Sequence, residues 1–274
     1  MPVLADLLDA LGTGRVEVVD LTAPLHSGTP ILKLPPPFAN ASPFSLTEIS
    51  NFDERGPAWY WNDISTSEHT GTHFDAPNHW ITGRDGEDVS QVPVTKLVAP
   101  AAVLDFSAES AQDPDFLLEV DHVRAWEAEH GPLPKGGWLL YRTGWDVRSE
   151  DSDAFLGVDS SGPNETGPHT PGISVECAQW LAEEAPVIGI GVETVGTDAG
   201  AAHSFDPAFP CHSYVLGAGK YGLTQLQNLA RLPATGAVVI AGPLPIVRGS
   251  GSPARVLALV ERALSGPPEQ RSGQ

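Results

Sequence analysis

Five short apolar runs limit what this chain can fold into: "AAVLDF" (101–106), "WLLYRTGW" (138–145), "PVIGIGV" (186–192), "GAVVIAG" (236–242) and "ARVLALV" (254–260). Each is too short for a stable helix, is rich in aliphatic and β-branched residues, and is bounded by Gly, Pro or Asp, so each reads as a buried strand. Two other stretches have helical spacing, "EVDHVRAWEAEHG" (119–131) and "SVECAQWLAEEA" (174–185). In the second, Ser174 is placed to cap the N-terminus, with Glu176 and Glu183 on the solvent side. Strands outnumber helices, and no internal repeat, low-complexity tract or linker interrupts the chain. The expectation is one α/β domain over residues 1–274 with a mixed, mostly buried sheet rather than an alternating doubly wound one.

At the N-terminus, Leu4, Leu7, Leu8 and Leu11 recur at helical spacing, predicting a helix over about residues 3–11. "GTG" ends it, and the alternating "RVEVVDL" (15–21) begins the core, expected to span about residues 16–262. Residues 28–57, with "KLPPPFANASPF" (33–44), are too rich in Pro, Ser and Asn for regular structure and predict a long loop. Its Phe38, Phe44 and Phe52 either cover a pocket or anchor the loop on the body. "WNDISTS" (61–67) alternates like a strand, with Ile64 on one face and Ser65 and Ser67 on the other.

The formal charge of −20 is spread along the chain, which fits a soluble protein. Fifteen basic residues scattered among thirty-five acidic ones leave no cationic surface for phosphates, so nucleic acid is excluded as a partner. No span approaches the roughly eighteen apolar residues that a membrane helix needs. No secretory leader is evident, and Cys177 and Cys211 lack Cys-x-x-Cys spacing. Two buried thiols in a reducing cytoplasm are expected.

Chemistry concentrates in "EHTGTHFDAPNHW" (68–80), which carries His69, His73, Asp75 and His79 in a chain with nine histidines. His73 and Asp75 are two apart, so in extended backbone they share a side, and His69 joins them if the chain bends at Gly71. Two imidazoles and a carboxylate suit a divalent transition metal. Three protein ligands leave positions open for water and substrate, as in a catalytic site. Pro77 stiffens the approach of His79, which can face the bound water as a catalytic base without being a ligand.

"HTGTHFDAPNH" resembles the signature of the metal-dependent cyclase-like hydrolases, which include kynurenine formamidases and isatin hydrolases. The likeness extends through "VVDLTAPLHSGTP", "LLYRTGW", "TPGISVECAQWLAE", "GIGVETVGTD" and "FPCHSYVLGAGKYGLTQLQNL". The resemblance implies a compact β/β/α (swivelling) cyclase-family fold, usually a homodimer or higher homo-oligomer. It also implies metal ligands at His69, His73 and Asp75 and a catalytic histidine at His79. One departure matters: two-zinc formamidases place a glutamate twelve residues after a histidine matching His212, and here Thr224 and Gln225 stand there. A hydroxyl or amide is a poorer second-site ligand than a carboxylate, so one divalent ion per subunit is expected. With water in the open positions octahedral Mn2+ is as plausible as Zn2+, and the resemblance to isatin hydrolases, a single-metal, manganese-using branch, implies Mn2+ ahead of Zn2+. His212, Thr224 and Gln225 then become candidates to contact the bound water or the substrate.

The expected reaction is hydrolysis of a non-peptide C–N bond by metal-bound hydroxide, most simply in a cyclic amide such as isatin, opened to isatinate. Trp59, Trp61 and Trp80 bracket the motif and suggest a flat pocket for a small aromatic amide, or simply core packing. Arg55 and Arg142 are the nearest candidate anion partners. Three alternatives remain: an arylformamidase acting on N-formylkynurenine, a non-heme Fe(II) oxygenase, and a non-catalytic metal- and ligand-binding protein.

Overall fold

In a computed structural model, residues 2–34, 37–158 and 167–262 are described. Among the described residues twelve strands run in chain order, beginning with β1 (Val16–Asp20), β2 (Ser45–Asn51), β3 (Tyr60–Ser65), β4 (His73–Asp75), β5 (Val98–Asp105) and β6 (Leu117–Leu118). They continue with β7 (Trp138–Arg142), β8 (Gly172–Ile173), β9 (Gly189–Val192), β10 (Tyr221–Thr224), β11 (Ala237–Pro243) and β12 (Gly251–Glu261). The helices are α1 (Val3–Gly12), α2 (Ser107–Gln112), α3 (Val120–His130), α4 (Ser152–Leu156) and α5 (Val175–Glu183). All five apolar runs contain main-sheet strands, and both helical stretches form helices. Ser174 caps α5 by accepting from the Cys177 N–H at 3.2 Å.

The main sheet has eight strands in the order β1-β12-β11-β5-β7-β9-β10-β4, and β4 pairs onward with β12. That last pairing closes the sheet into a barrel, which removes the exposed edges of an open sheet. Pairings β5–β7, β7–β9 and β9–β10 are parallel, and those involving β1, β4, β11 and β12 are antiparallel, so the sheet is mixed.

Strand alternation divides the apolar residues between two cores. Val103, Trp138, Leu140, Leu223, Val239 and Val256 belong to one cluster with Phe74, inside the barrel. Leu104, Leu139, Tyr141 and Ile190 alternate outward against Val123 and Trp126 of α3 and Cys177 and Leu181 of α5. Both cysteines are free and buried.

The expected loop over residues 28–57 needs correction: β2 lies inside it and pairs antiparallel with β3, with an irregularity between Glu48 and Ser50. Six of the seven residues of β2 are at least partly exposed, so its sequence has no buried face to reveal it. Cross-strand pairing rather than burial makes it a strand. Of the loop's phenylalanines, Phe44 is buried while Phe38 and Phe52 are exposed. Among the described residues, no helix is long and apolar enough to cross a membrane.

Candidate metal centre

The site forms where β4 is held between its two neighbours. His73 lies opposite Thr224 of β10 and Pro253 of β12, and Asp75 opposite Gly222 and Gly251. A Cβ at Gly222 would stand 2.7 Å from Asp75 Oδ2, so only glycine lets β10 lie this close to the carboxylate. Upstream, Gly71 adopts φ +65°, and a Cβ there would meet Leu25 Cδ2 at 2.5 Å. This left-handed bend turns His69 back over the strand, as the spacing predicted.

His69 Nδ1 lies 2.8 Å and His73 Nε2 3.4 Å from Asp75 Oδ1. The His79 ring stacks on His69 with centroids 3.8 Å apart. One ligand atom each from His69, Asp75 and His79 falls within 4.8 Å of the others, so His79 reaches the same space as the three expected ligands. His73 Nδ1 lies 2.7 Å from the Gly71 carbonyl oxygen, to which it can only donate. In a neutral ring Nε2 is then a lone pair, facing a carboxylate that also only accepts. Such a donor set suits a cation lying between them.

Burial raises the Asp75 carboxyl, but the charge of His73 and the hydrogen bond from His69 more than offset it, holding it well below the usual carboxylate range, so positive charge is favoured beside this carboxylate, whether carried by the imidazoles or by a metal ion. Burial pushes His79 down to about 3 against the opposing Asp75 charge, so its ring is neutral at pH 7 and able to accept a proton.

Trp80, His212 and Phe209 wall the far side. The Trp80 ring lies 4.8 Å from His212 and 5.6 Å from Phe209, and His79 is 5.4 Å from His212. His212 is the second residue of a six-residue π-helix, Cys211–Leu216, at whose start Asp198 accepts the Cys211 N–H at 2.7 Å and the His212 N–H at 3.2 Å. The same carboxylate pairs with His212 Nδ1. Burial lowers the His212 pKa, but the Asp198 bond and charge outweigh it and raise the group overall.

Among the remaining candidates, Thr224 Oγ1 lies about equally far from both nitrogens of His73, at 2.9 and 3.0 Å. Gln225 instead lines a separate cavity of about 50 Å3 with Gln227, His26 and Glu150, to which none of the clustered histidines contributes. Trp59 and Trp61, 51% and 54% exposed, sit on the β2–β3 hairpin. Of the three tryptophans, only Trp80 makes a ring contact with the site histidines among the described residues. Arg55 pairs with Glu48 at 2.6 Å and with Asp53, and Arg142 pairs with Asp105, so neither arginine points to an anion here. Sequence reading missed Asp198, Glu68 and Ser250. Of these, Glu68 offered a signal, standing beside His69.

These features define a barrel of the cyclase family, and the chain belongs to that family: a profile described as "Putative cyclase" matches residues 19–199. An isatin hydrolase from Roseibium aggregatum is 48% identical over 263 residues, covering 95% of this chain and 98% of that one. The crystal structure of an isatin hydrolase bound to the product analogue thioisatinate superposes with a TM-score of 0.90 at 47% identity, covering 94% and 98% of the two chains. A kynurenine formamidase from Salinibacter ruber is 29% identical over 196 residues, 71% of this chain and 77% of its own.

Proposed function

We propose that this chain is a metal-dependent hydrolase that opens a small cyclic amide, isatin, to its ring-opened carboxylate. The observation that carries the reading is the convergence of His69 and His73 on one oxygen of Asp75, with neutral His79 stacked beside them. Extensive identity to an isatin hydrolase supports the substrate, while the formamidase likeness is weaker and covers less of the chain.

His69, His73 and Asp75 would hold one divalent ion, whose contribution is to acidify a water toward a pKa of about 7 and to polarise the amide carbonyl. His79 then takes a proton from the attacking water as the C–O bond forms. It returns that proton to the ring nitrogen as the C–N bond breaks. His212, oriented by Asp198, and Trp80 border the space left for the aromatic ring. A single ion is supported by Thr224 and Gln225 standing where a second-site carboxylate would be needed, and with water filling its open positions octahedral Mn2+ is proposed ahead of Zn2+. Two free cysteines favour a cytoplasmic setting. A homo-oligomer is part of the proposal, supported by the exposed apolar residues of the hairpin.

The test is to strip the protein of metal, restore Mn2+ or Zn2+, and compare hydrolysis of isatin with that of N-formylkynurenine. Preference for the formyl substrate would replace isatin by the second reading. His79→Ala should lower turnover by about a hundred- to ten-thousand-fold with metal content unchanged. Loss of the metal in that variant would instead make His79 a ligand, as its proximity to His69 and Asp75 allows.

A further inference from the structure

Residues 248–251, "RGSG", enter β12 from the far end of the chain, yet they meet the histidine motif directly. Ser250 Oγ lies 2.8 Å from His69 Nε2, across 181 positions of sequence. The same hydroxyl donates to Glu68 Oε2 at 2.6 Å, and the Ser250 backbone N–H donates to that oxygen at 3.1 Å. The serine carbonyl accepts from the Ala76 N–H at 2.9 Å, tying this loop to the end of β4. Both flanking glycines are sterically required. A Cβ at Gly249 would stand 2.8 Å from Glu68 Oε1, and one at Gly251 2.6 Å from His69 Cε1.

A hydroxyl has one hydrogen. Ser250 gives its own to the Glu68 carboxylate, so toward His69 it offers only a lone pair, and His69 Nε2 must carry the hydrogen of that bond. In a neutral ring Nδ1 is therefore the bare nitrogen, and it faces Asp75 Oδ1 at 2.8 Å, another acceptor. Two acceptors in such contact repel unless a proton or a metal cation is shared between them, so in the neutral ring this is the position that a divalent cation would take. His73 takes the opposite tautomer, the Gly71 carbonyl fixing Nδ1–H and leaving Nε2 as an acceptor, with Thr224 Oγ1 at 3.0 Å and Asp75 Oδ1 at 3.4 Å.

We infer that Glu68 and Ser250 are positioning residues: they lock His69 as its Nε2–H tautomer and so present Nδ1 to a divalent cation. The inference rests on the reading of His69 as a metal ligand. Outer hydrogen bonds of this kind commonly hold about ten- to a hundred-fold of a site's metal affinity. Both act here through His69, so their effect is expected in metal binding first and in turnover only through it.

The experiment measures Mn2+ affinity by chelator competition for the wild type, Ser250→Ala, Glu68→Gln and His69→Ala, with thermal midpoints to confirm folding. Ser250→Ala should weaken binding by about ten- to a hundred-fold. Glu68→Gln should weaken it less, since the amide oxygen still accepts the hydroxyl proton. Nitrogen-15 spectra of the metal-free wild type should report His69 as Nε2–H, and this preference should fade in Ser250→Ala. Unchanged affinity in a folded Ser250→Ala, or an Nδ1–H signature in the wild type, overturns the inference while leaving the metal reading intact. Equal binding by wild type and His69→Ala overturns the metal reading and the inference with it.

Discussion

Glu193 shows how much one buried carboxylate can carry without belonging to the motif. It is fully buried at the end of β9, where Oε2 accepts the backbone N–H groups of Thr143, Gly144 and Trp145 at 2.8, 2.6 and 3.2 Å, fastening the turn after β7. Burial raises its carboxyl to about 7, the Asp146 charge adds to the rise, and the three N–H groups oppose it. Between pH 4.5 and about 7 the unfolded chain has therefore lost a proton that the folded chain keeps. The folded state binds more protons there, so this group's contribution to stability declines as pH rises through that window and levels off above it. The whole effect is on the order of 3 kcal/mol. Glu193→Gln copies the protonated form and should flatten this decline. Urea midpoints of both proteins at pH 5 and pH 8 measure it, and equal differences would show that Glu193 does not cause it. The residue is a single unremarkable Glu in "GVETVG", so nothing local distinguishes it. His73 and Asp75 were legible because parity along a strand is a local property.

Among elements, β4 is the shortest strand of the main sheet and has the largest responsibility, since its three residues close the barrel and carry two of the site's side chains. Alternation sends Phe74 the other way, into the barrel, where it is fully buried with its ring 6.1 Å from Trp138 and 5.2 Å from Tyr221. Phe74→Ala should cost about 3–5 kcal/mol, read as a lowered urea midpoint with unchanged slope. A cost below about 1 kcal/mol, the scale of a surface change, would mean that this strand is not the keystone described. Neither β4 nor β10 was visible as a strand in the sequence. Each is too short for a hydrophobic run, and β10 contains Gly222, required by the nearness of Asp75. The longer buried strands and helices α3 and α5 were legible because their patterns are set by burial on one or both faces. The β2–β3 hairpin was half missed because it has no such burial.

At the scale of the whole molecule, the apolar stripe that predicts α1 lies largely in the open, with Leu4 and Leu8 72% and 69% exposed. On the hairpin Leu46, Trp61 and Ile64 are exposed as well, on a chain of net charge −20 whose other surfaces repel association. A second copy covering the hairpin would remove this exposure. Light scattering should give twice the 28.9 kDa chain mass, and Trp61→Glu should shift it toward the monomer. A wild-type monomer at micromolar concentration would dismiss that assembly. The sequence by itself determined the alternation that makes strands, the periodicity that makes helices, and the eleven-residue motif in which two histidines and an aspartate converge, because all of these follow from backbone geometry over a few residues. The tertiary structure alone decided that β4 closes the barrel, that Asp198 orients His212 and that Ser250 meets His69. The reason is that sheet register joins segments as distant as Val16 and Glu261, and no local pattern encodes which distant hydroxyl or carboxylate that register delivers.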